Sequence, residues 1–248
     1  MKSILTSTLL FVVFSFQTNA EQTCQTTKDF LGAHYRFVIS QVNDQENSQA
    51  TPMKTAKLSS LWRTKQKVLT IDGEQSITWF KLSNGLVKKT AHFDHFKRSI
   101  EYPAKPMNDD RWQQIWQFIP NSQKQSLSLI SSKQEGCYQH ELYQWHNNET
   151  DLQGKLVWNA DLNLVVSLTM TQGKKQSHWQ LEKIEQDKFI IDQEFSQRDS
   201  YQATDFADIG DNESDPFLIK MINLGFIEHG ASGVYNAQGE KVVIEHNH

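Results

Sequence analysis

The sequence predicts a mainly β fold: a curved antiparallel sheet or half-closed β-barrel with two or three short helices. Three observations carry this expectation. Apolar residues alternate with a period of two through most of the chain, turn-forming residues recur between the alternating stretches, and only two segments switch to helical spacing. Short strands at close intervals, joined by turns, describe a meander that curls into a barrel or a strongly bent sheet.

The chain begins MKSILTSTLLFVVFSFQTNA, with Lys2 as a short basic region, an apolar core from Leu9 to Phe16, and Thr18 and Ala20 before Glu21. That is the pattern of a secretory signal peptide over residues 1–20, and it predicts export to the periplasm of a diderm bacterium. A spanning helix needs about 20 apolar residues, which neither this core nor any later segment supplies. Residues 21–248 carry no Gly/Ser/Pro-rich linker and read as a single β-rich domain.

Strands follow in order. In HYRFVISQV, Tyr35, Phe37 and Ile39 face one way while His34, Arg36 and Ser40 face the other, as in a half-buried strand. KVLTI, SITWFKL, the long LVKKTAHFDHFKRSIEY, SLSLI, CYQHELYQW, KLVW, LVVSLTM, HWQLEKI and KFIIDQEF read the same way. Between them stand Asp72-Gly73, Asn84-Gly85, Asn147-Asn148, the Asn159 to Asn163 corner, Gly173 and Asp187, all turn formers.

The first helix lies in MNDDRWQQIWQFIP, where Trp112, Ile115, Trp116 and Ile119 share one face, Asn108 caps, Asp109 and Asp110 meet the positive dipole end, and Pro120 stops it. The second runs from Pro216 to Leu224. Asp215 or Ser214 caps it, Pro216 suits its first position, and Gly225 suits a left-handed stop. The acids ahead of it (Asp205, Asp208, Asp211, Glu213) read as helix-end charge and solvated loop. The stretch lacks the alternating ligands, sixth-position glycine and twelfth-position glutamate of a helix–loop–helix calcium site, so an irregular calcium site through Asp208, Asp211 and Glu213 is the competing reading.

Twenty-five basic against 29 acidic residues give a net charge of −4, and losing Lys2 with the leader makes the chain one unit more negative. Without a basic cluster, nucleic acid and anionic membrane surfaces are poor partners. Two cysteines in an exported chain favour a Cys24–Cys137 disulfide, with two free thiols as the alternative. No nucleophile elbow, zincin motif, phosphate loop or dinucleotide fingerprint is present, which argues against an enzyme and calls for no cofactor. His92, Asp94, His140, His246 and His248 allow a periplasmic metal-binding protein as an alternative function, although their spacing forces no three ligands together. A secreted hydrolase, with carboxylates such as Asp192 and Glu194, stands third.

Aromatic residues say more. Trp62, Trp79, Trp112, Trp116, Trp158 and Trp179 fall on strands or on the first helix. They either fill a core or line an apolar cavity between a curved sheet and the Trp112/Trp116 helix. From GCYQHELYQWHNNETDLQGKLVWNADLNLVVSLTMTQGKKQSHWQLEKI, the order of elements resembles the second half of the LolA/LolB and RseB family of periplasmic half-barrels: a Trp-bearing strand, an Asp-Leu-Asn-Leu corner, then two more strands. This resemblance, over residues 30 to 200, implies a bent sheet covered by helices whose concave face binds lipid acyl chains or lipoprotein segments. Expected partners are therefore a lipid, a lipoprotein or another envelope protein.

Overall fold

A computed structural model describes residues 27–41, 55–73, 75–212 and 214–227. The leader, Cys24 and with it the expected disulfide, Glu213, His246 and His248 lie outside these residues.

Among the described residues thirteen strands form one curved, unclosed sheet, so the fold class is the one that the alternation predicts. The strands are β1 (Leu31–Gln41), β2 (Thr55–Arg63), β3 (Lys67–Asp72), β4 (Gln75–Lys81), β5 (Leu86–Phe93), β6 (Arg98–Glu101), β7 (Lys105–Pro106), β8 (Ser128–Glu135), β9 (Tyr138–Asn147), β10 (Leu152–Asn159), β11 (Leu164–Gln172), β12 (Lys175–Glu185) and β13 (Gln202–Asp205). Their order is β13-β6-β5-β4-β3-β2-β1-β12-β11-β10-β9-β8, with β7 paired to β5. The β1–β12 pairing joins two antiparallel meanders, and the β13–β6 pair is parallel. Helices are α1 (Asp109–Gln117), α2 (Asn121–Gln125), α3 (Lys188–Asp199) and α4 (Pro216–Asn223), with a 3-10 segment at Phe206–Asn212.

Register fixes which side chains share a face, because directly opposed residues point the same way. Leu61, Thr70, Ile77, Ala91 and Ile100 stand opposite one another on β2 to β6. Leu61 packs with Trp112 and Ile115 of α1, and Ala91 and Ile100 pack with Phe217, Leu218 and Met221 of α4, so α1 and α4 cover the same face. Trp62 and Leu69 point to the opposite face, where they meet Ile191 and Phe195 of α3. Gly32 permits this second core. A Cβ there would stand 2.4 Å from the Trp62 ring that lies across it.

Four sequence expectations are corrected. KFIIDQEF is helix α3, not a strand: Asp187 accepts from the Phe189 amide (2.8 Å), Glu194 pairs with Arg198 (2.8 Å), and Ile191 and Phe195 fall four apart on the buried side. The long run from Leu86 to Tyr102 is a hairpin, broken at Asp94–Lys97, where Lys97 takes a left-handed φ of 50° without a glycine to signal it. Strand β2 is absent from the sequence reading because Leu61 and Trp62, adjacent in sequence, are buried on opposite faces and so break the alternation. Among the described residues the two extra helices, α2 and α3, bring the α-helices to four.

Candidate functional site

Between the two helical covers of one face lies a cavity of about 770 Å³. Ser59, Thr70 and Ile77 of β2, β3 and β4 contribute its floor. One wall carries Phe118 and Trp179, the other Phe93 and Met221, and the rim includes Leu224, Phe226, Lys57, His95 and Lys220. Apolar side chains line the two walls, Ser59, Ser60, Thr70 and Gln75 add polar groups to the lining, and Lys57, Asp72, His95 and Lys220 bring charged or titratable groups to it, a mixed apolar and polar composition compatible with a ligand pocket.

Phe118 reaches the cavity through its backbone. Just past the last turn of α1 it adopts φ 68° and ψ −38°, a conformation that costs a side-chain-bearing residue of order 1–3 kcal/mol and persists only where its surroundings hold it. What holds it is aromatic packing: the Phe118 ring meets Tyr35 edge-on at 5.3 Å and Trp179 at 5.7 Å, and Trp179 continues to Phe37 at 5.1 Å. Gln117 also ties down the following turn by donating to the Ile119 carbonyl (2.8 Å) and to Asn121 (3.1 Å).

Of the six tryptophans named from the sequence, Trp179 lines this cavity. Trp62 is buried beneath α3, Trp158 is fully buried among Leu156 and Leu162, and Trp112 packs α1 onto the sheet. Trp116 donates to the Thr64 carbonyl (3.2 Å) beneath the Arg63 guanidinium, 3.7 Å from its ring, and Trp79 packs at the edge of the same core. The cavity therefore sits beside the Trp112/Trp116 helix, past its C-terminus. Ile77, Phe93, Phe118, Met221 and Phe226 were not named from the sequence. Alternation marks Ile77 and Phe93 as inward-facing, but only the fold brings α4 opposite α1.

The described residues considered for metal or catalysis make other contacts. Both His92 nitrogens hydrogen-bond to hydroxyls, Nδ1 with Ser99 Oγ and Nε2 with Thr78 Oγ1, each at 2.8 Å. Burial, with the nearby Arg198 charge, pushes its pKa down to about 4. Only 2% exposed on the α3 face, it offers no base to a substrate. Asp94 accepts from Arg198 (2.8 Å) and Ser76 (3.1 Å). His140 pairs with Glu135 at 3.0 Å, and Asp192 with Lys188. Among the described residues no three His, Cys, Asp or Glu side chains converge as a metal site would require.

Two acids of the stretch, Asp205 and Asp215, make local hydrogen bonds. Asp215 accepts from the Phe217 amide at 2.8 Å as the cap of α4 and from Arg98 at 2.7 Å. Asp205 accepts from the Ala207 amide at 3.0 Å. Among the described residues no helix is long and apolar enough to cross a membrane.

No protein-family model matches the sequence, and no curated protein does. Among solved structures, the chain is similar to PNGF-II in two crystal forms, at 12% identity with a TM-score of 0.37 and at 10% with 0.35. It is also similar to a DUF1329 family protein from Desulfovibrio piger ATCC 29098, at 7% identity with a TM-score of 0.28. The PNGF-II alignments cover 70% and 71% of this chain, and the chain spans 31% of PNGF-II's length. The third covers 65% of this chain and 87% of that one.

Proposed function

We propose that this chain is a non-enzymatic periplasmic binding protein whose cavity accepts a lipid, a lipoprotein's acyl chains or a partner's apolar segment. The observation that carries this reading is the 770 Å³ cavity, walled by Phe93, Phe118, Trp179 and Met221 and left between two helices on one sheet face. The signal-peptide pattern at residues 1–20 and the pattern resemblance to the LolA/LolB and RseB half-barrels support the same reading. Trp179 is the tryptophan that touches the ligand. Native mass spectrometry of periplasm-purified protein tests this first, with a co-purifying lipid mass expected. A fatty-acyl probe then shifts tryptophan emission saturably, and Trp179→Phe removes most of that shift. Protein that carries no lipid and never saturates with probe leaves the reading without support.

A further inference from the structure

The cavity is polarised along its length. Phe93 and Met221 are almost fully buried, whereas Leu224 and Phe226 at the mouth are 57% and 49% exposed. Beside them stand Lys220 of α4 and His95 of the β5–β6 turn. Phe96 organises this pair: its ring lies 4.9 Å from the Lys220 ammonium and 5.1 Å from the His95 ring. Across the mouth, Lys57 is already matched by Asp72 at 2.6 Å. Among the described residues Lys220 makes no ion pair, and its ammonium lies over the Phe96 ring at this end of the cavity.

Volume sets the other limit. A methylene occupies about the volume of one liquid water, ~30 Å³, so a sixteen-carbon chain needs roughly 500 Å³ and two such chains roughly 1,000 Å³. A cavity of 770 Å³ is large enough for one such chain. We propose, building on the cavity reading above, that the ligand is a long-chain carboxylate, its tail running toward Phe118 and Trp179 and its head at Lys220 and His95. A cation that lies over an aromatic face at the mouth of an apolar cavity can pair with the head of an anionic chain whose tail is buried, with the modest strength of an exposed ion pair.

Palmitate and hexadecanol, which share the chain and differ in charge, are titrated into the purified full chain at low and high salt. Palmitate is expected to bind more tightly, and to lose that advantage as salt rises. Lys220→Gln, at an exposed helix position, is expected to weaken palmitate about fivefold, the upper range for an exposed ion pair, while hexadecanol stays within about a factor of two. Ile77→Trp, and separately Phe226→Ser at the exposed rim, are expected to weaken both ligands. Equal binding of the two, unmoved by Lys220→Gln, overturns the head-group assignment and leaves the cavity reading standing. Tighter binding of a zwitterionic lysophospholipid than of palmitate overturns the assignment in the same way. Failure of every chain to bind overturns both.

Discussion

Arg63 carries a charge into the interior, and every hydrogen bond it makes among the described residues ends on a backbone carbonyl: Lys28 (2.8 Å), Trp116 (2.9 Å), Asn163 (3.1 Å) and Leu162. Burial lowers its pKa to about 9, so it remains charged at neutral pH and joins α1, the β10–β11 corner and the turn preceding β1 to β2. His92 is the opposite case, a buried group kept neutral. Its unfolded pKa is 6.5 and its folded pKa about 4, so between these values the unfolded chain holds a proton that the folded chain refuses. The contribution of His92 to stability is therefore complete above pH 6.5 and declines as pH falls toward 4, by up to about 3 kcal/mol. The expected outcome is a melting temperature that drops from pH 6.5 to 4.5 more steeply in the wild type than in His92→Gln. Parallel profiles would assign the acid sensitivity to other groups. The sequence placed His92 on a strand, but not its face's cover, because the helix that buries it was read as another strand.

At the scale of elements, legibility followed the number of independent signals. Helix α4 was readable because a cap, a proline at the first position and a terminal glycine agree. The structure adds Arg98, only 14% exposed at its side chain, as a second partner for Asp215. Although burial opposes it, the hydrogen bond from Arg98 and the amides of α4 hold the Asp215 carboxyl below its usual range, so it acts as an acceptor throughout the neutral range. Asp215→Ala should cost about 1–2 kcal/mol, the upper figure reflecting an Arg98 left without its carboxylate, and Asp215→Asn should recover the cap alone. Chemical denaturation measures both. A calcium-induced rise in melting temperature, lost on replacing Asp208 and Asp211 together, would instead make the stretch a metal loop. Helix α3 was misread because Phe189, Ile190 and Ile191 form an apolar run that resembles a buried strand, and Phe189, 74% exposed, contributes nothing to burial. Strand β2 was missed for the complementary reason, burial on both faces.

For the whole molecule, the consequence is a division of labour between the two faces of one sheet. One face is closed by α3 over Trp62 and Leu69; the other is covered at two places, by α1 and by α4, and left open between them. Alternation revealed that strands had two unlike faces, and the tryptophans suggested an apolar cavity, but neither could locate a gap defined by two helices about a hundred residues apart in sequence. The arrangement separates the core beneath α3 from the cavity on the other face, so the proposed binding role can be tested apart from stability. Ile191 is fully buried among Trp62, Leu69 and Phe195, so Ile191→Ala should cost about 2–4 kcal/mol through the void it leaves. Its effect on acyl-probe affinity, measured well below the melting temperature, should stay within about twofold, because no atom of the cavity wall is removed and sites on opposite faces act independently. Phe118→Gly should behave in reverse. Glycine adopts a positive φ without the steric penalty borne by phenylalanine, which offsets part of the lost packing, while the wall between Tyr35 and Trp179 disappears. Probe affinity should therefore fall by about tenfold, the equivalent of roughly 1.4 kcal/mol, with a smaller stability loss than for Ile191→Ala. Equal losses of affinity in the two variants would mean that the sheet transmits strain between its faces, and that the cavity is not an autonomous feature of the face that α1 and α4 share.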